Sequence, residues 1–370
     1  MIVIPAGAPV TILRINHIIE NRFLGMAVTE HDVRAAVMAI RRPLLAQRVI
    51  ALIVLCWVQV RAQETGRPAV CEHYHFRRSH DITACLKKNP GAPHEIRVRL
   101  DEKVGHNTQG FLPFIEPHFG GLWQRVSLLV VPETYLDDLQ LMASGDAMNR
   151  ELRIEVPLAG KPLPKLATLN LRCRLKREQA WQVLAPMTQR SNDTLQARVI
   201  MPQARLWSPA GPSLYEVEVS LPGKNGDTVR AVTGFRSLEA YGQEFRLNGK
   251  PLSIRGVLNW GYSPPLLAPN PGEAAWRAEL ELVRSQGFNL MKFCLWIPPQ
   301  RYLELADEMG MLIWVEYPSW HSSFTEEYLP PLRHEFTEFF QYDRNHPSVI
   351  LRSLTCETGP SAELKVIQNL

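Results

Sequence analysis

The chain has few cysteines, and none of them lies close to another. The six are Cys56, Cys71, Cys85, Cys173, Cys294 and Cys356. Because they form no CxxC pair, a zinc ribbon and a dense disulfide framework are both disfavoured, and we predict no structural metal. Buried free thiols are the favoured interpretation, whereas one Cys71–Cys85 bridge stays open if the chain is exported.

The chain also lacks a basic stripe and a long apolar run. Its net charge of +4 comes from 41 basic and 37 acidic residues that are scattered along the sequence, so nucleic-acid binding gains little support. The apolar run Val49–Val60 is too short for the ~20 helical residues that cross a bilayer. We therefore predict no nucleic-acid partner, no membrane span and no cofactor.

The same apolar run resembles the core of an export signal that starts at Met38. Arg41 and Arg42 precede it, and the small residue Ala62 ends a suitable cleavage site. This layout predicts a signal peptide and a secreted or periplasmic protein, with residues 1–37 as an upstream extension. A buried helix is the alternative for this run.

Turn-forming residues are abundant, with 29 Pro and 22 Gly, and an apolar share of 45% supplies enough core for more than one domain. Short strand candidates separated by Pro and Gly predict a β-sandwich in residues 63–147. The apolar alternation is clearer in residues 148–240, at Glu151–Val156, Leu214–Leu221 and Thr228–Thr233, which predicts a second, smaller sandwich. An Asn248-Gly249 hairpin follows.

Beyond Leu252 the pattern changes to alternating strands and helices. We predict strands at 253–258, 289–296, 311–317 and 348–354, separated by helices at 273–286, 299–309 and 324–340. Such βαβαβαβ order indicates a parallel sheet, either open or part of a barrel. A complete (β/α)₈ barrel needs ~250 residues, so the residues after Lys250 suffice for about half of one.

Polar and aromatic residues follow these strands. In parallel α/β barrels the carboxyl ends of strands line the active site, so Glu357, after the fourth strand, is a candidate proton donor. A solvated loop carboxylate is the alternative. The other candidates for lining a pocket are Asn259, Trp260, Tyr262, Trp296, Glu316, Trp320 and His321. For Trp260 and Trp296 core packing is an equal alternative, and His321 is equally compatible with a solvated loop residue.

Several separate motifs together resemble glycoside hydrolase family 2, the family of β-galactosidases, β-glucuronidases and β-mannosidases. They are Asp81–Ala84, Gly120–Val126, Leu206–Pro209, Thr233–Arg236, Phe245–Lys250 and Asp343–Val349. The resemblance implies a multidomain β plus α/β fold. After residues 1–62, it implies a partial jelly-roll sugar-binding domain at 63–147, an immunoglobulin-like sandwich at 148–240 and the first half of a TIM barrel at 241–370.

By the same resemblance, Glu357 is the general acid/base of a retaining enzyme that hydrolyses O-glycosyl bonds in carbohydrates. The nucleophile of this family lies at the end of the seventh strand, which this sequence lacks. We therefore expect a chain truncated in its barrel that is inactive by itself. A non-catalytic carbohydrate-binding protein or pseudoenzyme is the alternative, and homo-oligomers are an open question.

Two candidate substrate contacts depart from the family pattern. Cys356 stands where the family usually has Asn before the acid/base, so the amide contact to the sugar 2-hydroxyl is missing. Lys292 replaces the usual Arg on the second strand, and the His typical of galactosidases is replaced in Cys294–Trp296. The sequence therefore does not indicate a galactoside.

Overall fold

The structure is a computed structural model. It describes residues 10–15, 18–19, 78–84, 121–122, 126–162, 170–185, 188–189, 193–223, 226–263, 269–320 and 324–370. The predicted signal peptide, the Cys71–Cys85 pair and His321 lie outside the described residues. Two compact units are formed, one from residues 1–105 and 112–130 and the other from 106–111 and 131–370.

The first unit is described only by short strands. They are β1 (Val10–Ile15), β2 (Ile18–Ile19), β3 (Arg78–Asp81), β4 (Gly121–Leu122) and β5 (Val126–Val131). Strands β3, β1 and β5 form one sheet in that order, and β2 pairs with β4 in another. Most of the range predicted as a jelly roll is outside the described residues, so that fold stays a prediction.

The second unit begins with a β-sandwich. Its strands are β6 (Thr134–Leu136), β7 (Met142–Asp146), β8 (Glu151–Gly160), β9 (Asn170–Leu175), β10 (Gln182–Val183), β11 (Thr188–Gln189), β12 (Thr194–Ile200), β13 (Trp207–Ser208), β14 (Gly211–Pro212), β15 (Tyr215–Ser220), β16 (Thr228–Thr233) and β17 (Phe235–Arg236). One sheet has the order β11-β12-β8-β7-β17 with β6 added on β8, the other has the order β10-β9-β15-β16, and β13 pairs with β14.

Alternating side chains explain why these strands form a two-layer core. On β8, Leu152, Ile154 and Val156 are buried, and they contribute to one apolar cluster with Val217 and Val219 of β15. On β8, the outward positions Arg153 and Glu155 between them carry charged side chains that remain partly solvated. The predicted strands at 151–156, 214–221 and 228–233 are confirmed.

A three-stranded hairpin sheet links the sandwich to the next part. It consists of β18 (Leu238–Tyr241), β19 (Glu244–Leu247) and β20 (Lys250–Leu252). Asn248 and Gly249 have φ values of 52° and 76°, as a type I′ turn requires, so the Asn-Gly hairpin prediction is confirmed. The Asn248 amide donates to the Trp207 carbonyl at 2.9 Å, which fixes the turn against β13.

The remaining residues form a four-stranded parallel sheet with helices. The elements are β21 (Gly256–Asn259), α1 (Glu273–Ser285), β22 (Leu290–Phe293), α2 (Gln300–Met309), β23 (Leu312–Glu316), α3 (Leu329–Tyr342), β24 (Val349–Ser353) and α4 (Ala362–Gln368). The strand order is β21-β22-β23-β24, and the predicted βαβαβαβ alternation is confirmed. None of the helices that the structure describes combines the length and apolarity needed to cross a membrane.

The amino ends of these strands pack against the sandwich. Trp207 is fully buried there in a cluster with Leu290, Leu312 and Ile350. Its indole nitrogen donates to the Asp307 carbonyl at 2.9 Å. Since the strands are parallel, their carboxyl ends lie together at the opposite edge of the sheet.

The turn before β24 is held by a buried polar network. Both ring nitrogens of His346 face oxygens, Nδ1 at 2.6 Å from the Asp307 carboxylate and Nε2 at 2.8 Å from the Gln300 side chain. The other Asp307 oxygen accepts from the Ser348 backbone N–H at 3.0 Å. This motif, which resembled the enzyme family in sequence, fixes the start of β24 and lies away from the carboxyl ends of the strands.

Candidate active site

The strand register places a set of polar and aromatic side chains on one face of the parallel sheet. Lys292 is paired with Trp314 across β22 and β23, and Glu316 is paired with Ser353 across β23 and β24. Trp314 and Glu316 are two residues apart on one strand, so their side chains point to the same side. The opposite side of the sheet carries Met291 and Phe293, which pack towards the helices.

An ion pair is buried on this face. The Lys292 ammonium lies 2.7 Å from Glu316 Oε2 and 4.7 Å from the centre of the Trp314 indole. The Glu316 side chain is only 2% exposed, and its Oε1 accepts from the Cys294 thiol at 3.2 Å. Trp314 is fixed in turn because its indole nitrogen donates to the Ser353 hydroxyl at 2.8 Å. Two adjacent strands therefore hold one carboxylate rigidly.

Glu357 lies at the same edge, on the segment that follows β24. The segment after β23 runs beside it, since the Tyr317 N–H donates to the Ser353 carbonyl at 2.9 Å and the Cys356 N–H to the Ser319 carbonyl at 3.0 Å. The backbone of Glu357 has a φ of 49°, a left-handed conformation that is uncommon for residues other than glycine.

The Glu357 carboxylate is exposed to solvent but is held by an aromatic side chain. Trp320 Nε1 donates to Glu357 Oε2 at 2.7 Å, a distance typical of a charge-assisted hydrogen bond. Trp320 also pairs with Cys356 in an isolated parallel bridge, so the two segments are joined through both backbone and side chain.

Two cysteines lie between Glu316 and Glu357, and both are in the thiol form at neutral pH. Burial and the Glu316 carboxylate raise the pKa of Cys294 to about 12. Burial, together with the neighbouring carboxylates Glu316 and Glu357, also raises the pKa of Cys356. Neutral thiols are poor nucleophiles, so these cysteines fill space and donate weak hydrogen bonds.

The structure thus brings together Lys292, Glu316, Trp320, Cys356 and Glu357 of the predicted site. Sequence reasoning missed Trp314 and Ser353, which fix the ion pair. The period of two on β23 could have indicated Trp314, because it shares a face with Glu316.

Other predicted site residues lie elsewhere. The Asn259 amide donates to Glu279 of α1 at 2.9 Å, on the helix-facing side of the sheet. Trp296 is 6% exposed, packs its ring against Phe293 and donates to the Asn259 carbonyl at 3.0 Å. Trp296 therefore has the contacts of a core residue, whereas Asn259 is half-buried against α1.

Tyr262 and Trp260 follow β21. Burial raises the pKa of Tyr262, and the Trp260 side chain is half-buried. Among the described residues, no group of three or more His, Cys, Asp or Glu side chains is arranged to bind a metal ion. Glu363 lies in the first turn of α4 behind the N-cap Ser361, a position that suits an acidic residue at a helix start.

Comparison with known proteins finds a family model that matches part of the chain, and relatives and solved structures that resemble it. Residues 134–236, the range spanned by strands β6 to β17, match the model of "Glycosyl hydrolases family 2". The chain is 26% identical over 261 residues to "Beta-galactosidase 2" of Enterobacter cloacae, covering 65% of this chain and 25% of that protein. It is 26% identical over 284 residues to a "Putative beta-glucuronidase" of Formosa agariphila, covering 74% and 33%.

A solved structure has a fold similar to that of this chain. It is that of a β-D-glucuronidase from Dictyoglomus thermophilum, with a TM-score of 0.67, 16% identity, and coverage of 100% of this chain and 61% of the other. The fold of this chain is therefore multidomain and β-rich. The chain spans about a quarter to a third of the length of the two curated relatives described above.

Proposed function

We propose, from the premise that this chain belongs to glycoside hydrolase family 2, that Glu357 is the general acid/base of a retaining glycosidase. We further propose that residues 241–370 form the first half of its (β/α)₈ TIM barrel. One observation carries the proposal: an exposed carboxylate follows the fourth parallel strand, held by Trp320 at the edge where the strands end. Active sites of such barrels lie at that edge.

The chemistry assigns Glu357 two proton transfers. In the first step it protonates the leaving glycosidic oxygen while a second carboxylate attacks the anomeric carbon, and in the second step it takes a proton from the attacking water. Exposure suits this role because both the departing aglycone and the incoming water must reach the carboxyl group.

The mechanism also needs a second carboxylate as the nucleophile, and Glu316 does not suit that role. Glu316 is buried and paired with Lys292 and Cys294, so it is poorly placed to attack a sugar. The α/β sheet that the structure describes has four parallel strands, β21 to β24, and the family nucleophile belongs to a seventh. We therefore propose that this chain alone binds carbohydrate and carries the acid/base but does not complete hydrolysis.

An external nucleophile tests this assignment. Azide attacks the anomeric carbon of a phenyl β-glycoside, the bond to the phenolic oxygen breaks, and that oxygen takes the Glu357 proton, giving an α-glycosyl azide and phenol. Purified protein should release no phenol from phenyl galactoside, glucuronide or mannoside in buffer alone. Azide should produce the α-azide, and Glu357→Gln should abolish it, whereas Glu363→Gln should not.

Two results would contradict the proposal. Hydrolysis with retention in buffer alone would overturn the inactivity of the isolated chain. Absence of α-azide from all three glycosides, with a folded protein, would overturn the role of Glu357. The second result would favour the alternative function, a non-catalytic carbohydrate-binding protein.

That alternative has an observation of its own. The indoles of Trp314 and Trp320 are half-buried on the proposed sugar-binding side, where aromatic faces stack on sugar rings. Titration calorimetry with the same sugars, using Glu357→Gln to prevent any chemistry, decides whether binding occurs without reaction.

A further inference from the structure

We propose that Trp320 is a positioning residue for Glu357, and that it fixes Oε1 as the oxygen that carries the transferred proton. From the sequence, Trp320 is a candidate for stacking on a sugar ring. The contact between its indole nitrogen and the carboxylate gives it another role. This inference rests on the proposed function, because it names the residue that orients the proposed acid/base.

The geometry of the pair supports positioning. The indole N–H donates to Glu357 Oε2 at 2.7 Å, across 37 residues of sequence. The two backbones are also joined, since the Cys356 N–H donates to the Ser319 carbonyl at 3.0 Å and Trp320 forms a parallel bridge with Cys356. Ser319 is fully buried, so the segment that carries Trp320 is anchored at its base.

The backbone of Glu357 is held as well. Its φ of 49° turns the chain directly after Cys356, in a left-handed conformation that is strained for a residue with a Cβ. Such a conformation persists only where neighbouring contacts impose it. The hydrogen bond from Trp320 is one contact that can do so.

The chemistry of the indole explains why a tryptophan suits this position. Its nitrogen is a donor only and does not titrate, so it never competes for the transferred proton. Because Oε2 already faces a donor hydrogen, the acid form carries its proton on Oε1. The same contact stabilises the carboxylate that is needed for the second step. Trp320 would thus serve both steps without taking part in proton transfer.

The contact itself can be observed in the intact chain by labelling its nine tryptophans with ¹⁵N. Trp320→Phe identifies the indole N–H signal of Trp320. We expect Glu357→Gln to move that signal upfield, because a charge-assisted hydrogen bond is replaced by a neutral one. The Trp314 signal, whose N–H donates to Ser353, should stay in place. An unmoved Trp320 signal would overturn the proposal.

The functional consequence is measured by the azide reaction with two leaving groups. The phenol of a phenyl glycoside departs only when the acid protonates it, whereas the 2,4-dinitrophenolate of a 2,4-dinitrophenyl glycoside departs without protonation. We expect Trp320→Phe to lower the phenyl rate about tenfold and to leave the dinitrophenyl rate within about twofold. Trp320→His, which keeps a ring N–H, should restore part of the loss. Trp181→Phe, the same type of change on the sandwich, is the control.

Two outcomes contradict the inference. Equal losses with both leaving groups would make Trp320 a sugar-binding residue, and no loss with either would make the hydrogen bond irrelevant to catalysis. If the unmodified chain forms no α-azide, the proposed function fails, and the indole signal still decides whether Trp320 contacts Glu357.

Discussion

Asn345 and Ala143 are joined by a hydrogen bond across 202 residues of sequence. The Asn345 side-chain oxygen accepts from the Ala143 N–H at 2.8 Å, and its nitrogen donates to the Leu141 carbonyl at 2.8 Å. One amide thus pairs with the backbone at the start of β7 as a neighbouring strand would. Arg344 adds a contact to the Gln140 carbonyl. The turn before β24 is therefore attached to the sandwich through side chains rather than through a sheet.

Asn345→Ala should destabilise the second unit. It leaves a backbone donor and a backbone acceptor without their partner, at a cost of about 2 kcal/mol. Urea unfolding followed by tryptophan fluorescence measures this loss. Asn369→Ala removes an exposed amide contact at the end of α4 and serves as the control, with little change expected. Equal stability of the two variants would show that the attachment is unimportant.

Gly310 and Gly287 offer a matched pair of substitutions. Both have left-handed φ values, 73° and 84°, after helices α2 and α1. A Cβ at Gly287 would meet open space, so Gly287→Ala should cost about 1 kcal/mol of backbone strain. A Cβ at Gly310 would lie 2.4 Å from the Pro209 carbonyl oxygen.

Gly310→Ala should therefore cost about 1–3 kcal/mol more than Gly287→Ala, because the sandwich loop must move away. The difference between their unfolding free energies in urea reports the close packing of β13–β14 on α2. A difference near zero would mean that this packing is looser than the structure indicates.

The stability of the protein should depend on pH through His346. Burial by itself lowers the pKa of His346, but the adjacent Asp307 carboxylate outweighs it and leaves the pKa above its ordinary value. The folded state therefore binds the proton more tightly than the unfolded state. The stabilisation contributed by His346 is fully present below about pH 6.5. It is lost as the pH rises through the higher pKa that His346 has in the folded state.

The free energy of unfolding should show this decline when it is measured between pH 6 and pH 9, a range that includes the ordinary histidine pKa of about 6.5. His346→Gln should remove that part of the decline that belongs to the imidazole, whereas His334→Gln, at an exposed position, should preserve it. The same slope in wild type and His346→Gln would place the titration elsewhere.

Replacing only Lys292 of the Lys292–Glu316 pair should lower the free energy of unfolding more than replacing both residues. Lys292→Met leaves a buried carboxylate without its cation, and we expect a loss of about 3 kcal/mol. Replacing both residues, by Lys292→Met with Glu316→Leu, should recover most of it. Arg153→Met, which breaks a more exposed pair with Glu151, should cost much less than Lys292→Met. Urea unfolding compares the three, and a double variant no better than the single one would contradict the argument.

The cysteines that the structure describes should resist alkylation in the folded protein. Burial is the main reason that the pKa values of Cys294 and Cys173 rise to about 12 and about 11. Iodoacetamide at neutral pH, followed by peptide mass spectrometry, should therefore label them slowly until urea is added. Cys356 is half-buried and should react first of the three. Fast labelling of Cys294 in the native protein would show that the ion-pair cluster opens.

Much of the α/β part could be predicted from the sequence. Apolar runs bounded by Gly287 and Gly310 indicated the strands and helices, because these glycines end α1 and α2. The direction of Asn259 could not be predicted. A period of two separates the faces of a strand, but it does not say which face meets the helices.

The sequence by itself determined the order of elements, the Asn248-Gly249 hairpin and the position of Glu357 after the fourth strand, since these depend on local periodicity and turn chemistry. Only the tertiary structure decided which side chains touch. The contacts of Trp320 with Glu357, Lys292 with Glu316 and Asn345 with the start of β7 join distant segments. Such contacts depend on how strands align and loops run beside each other, which no local pattern specifies.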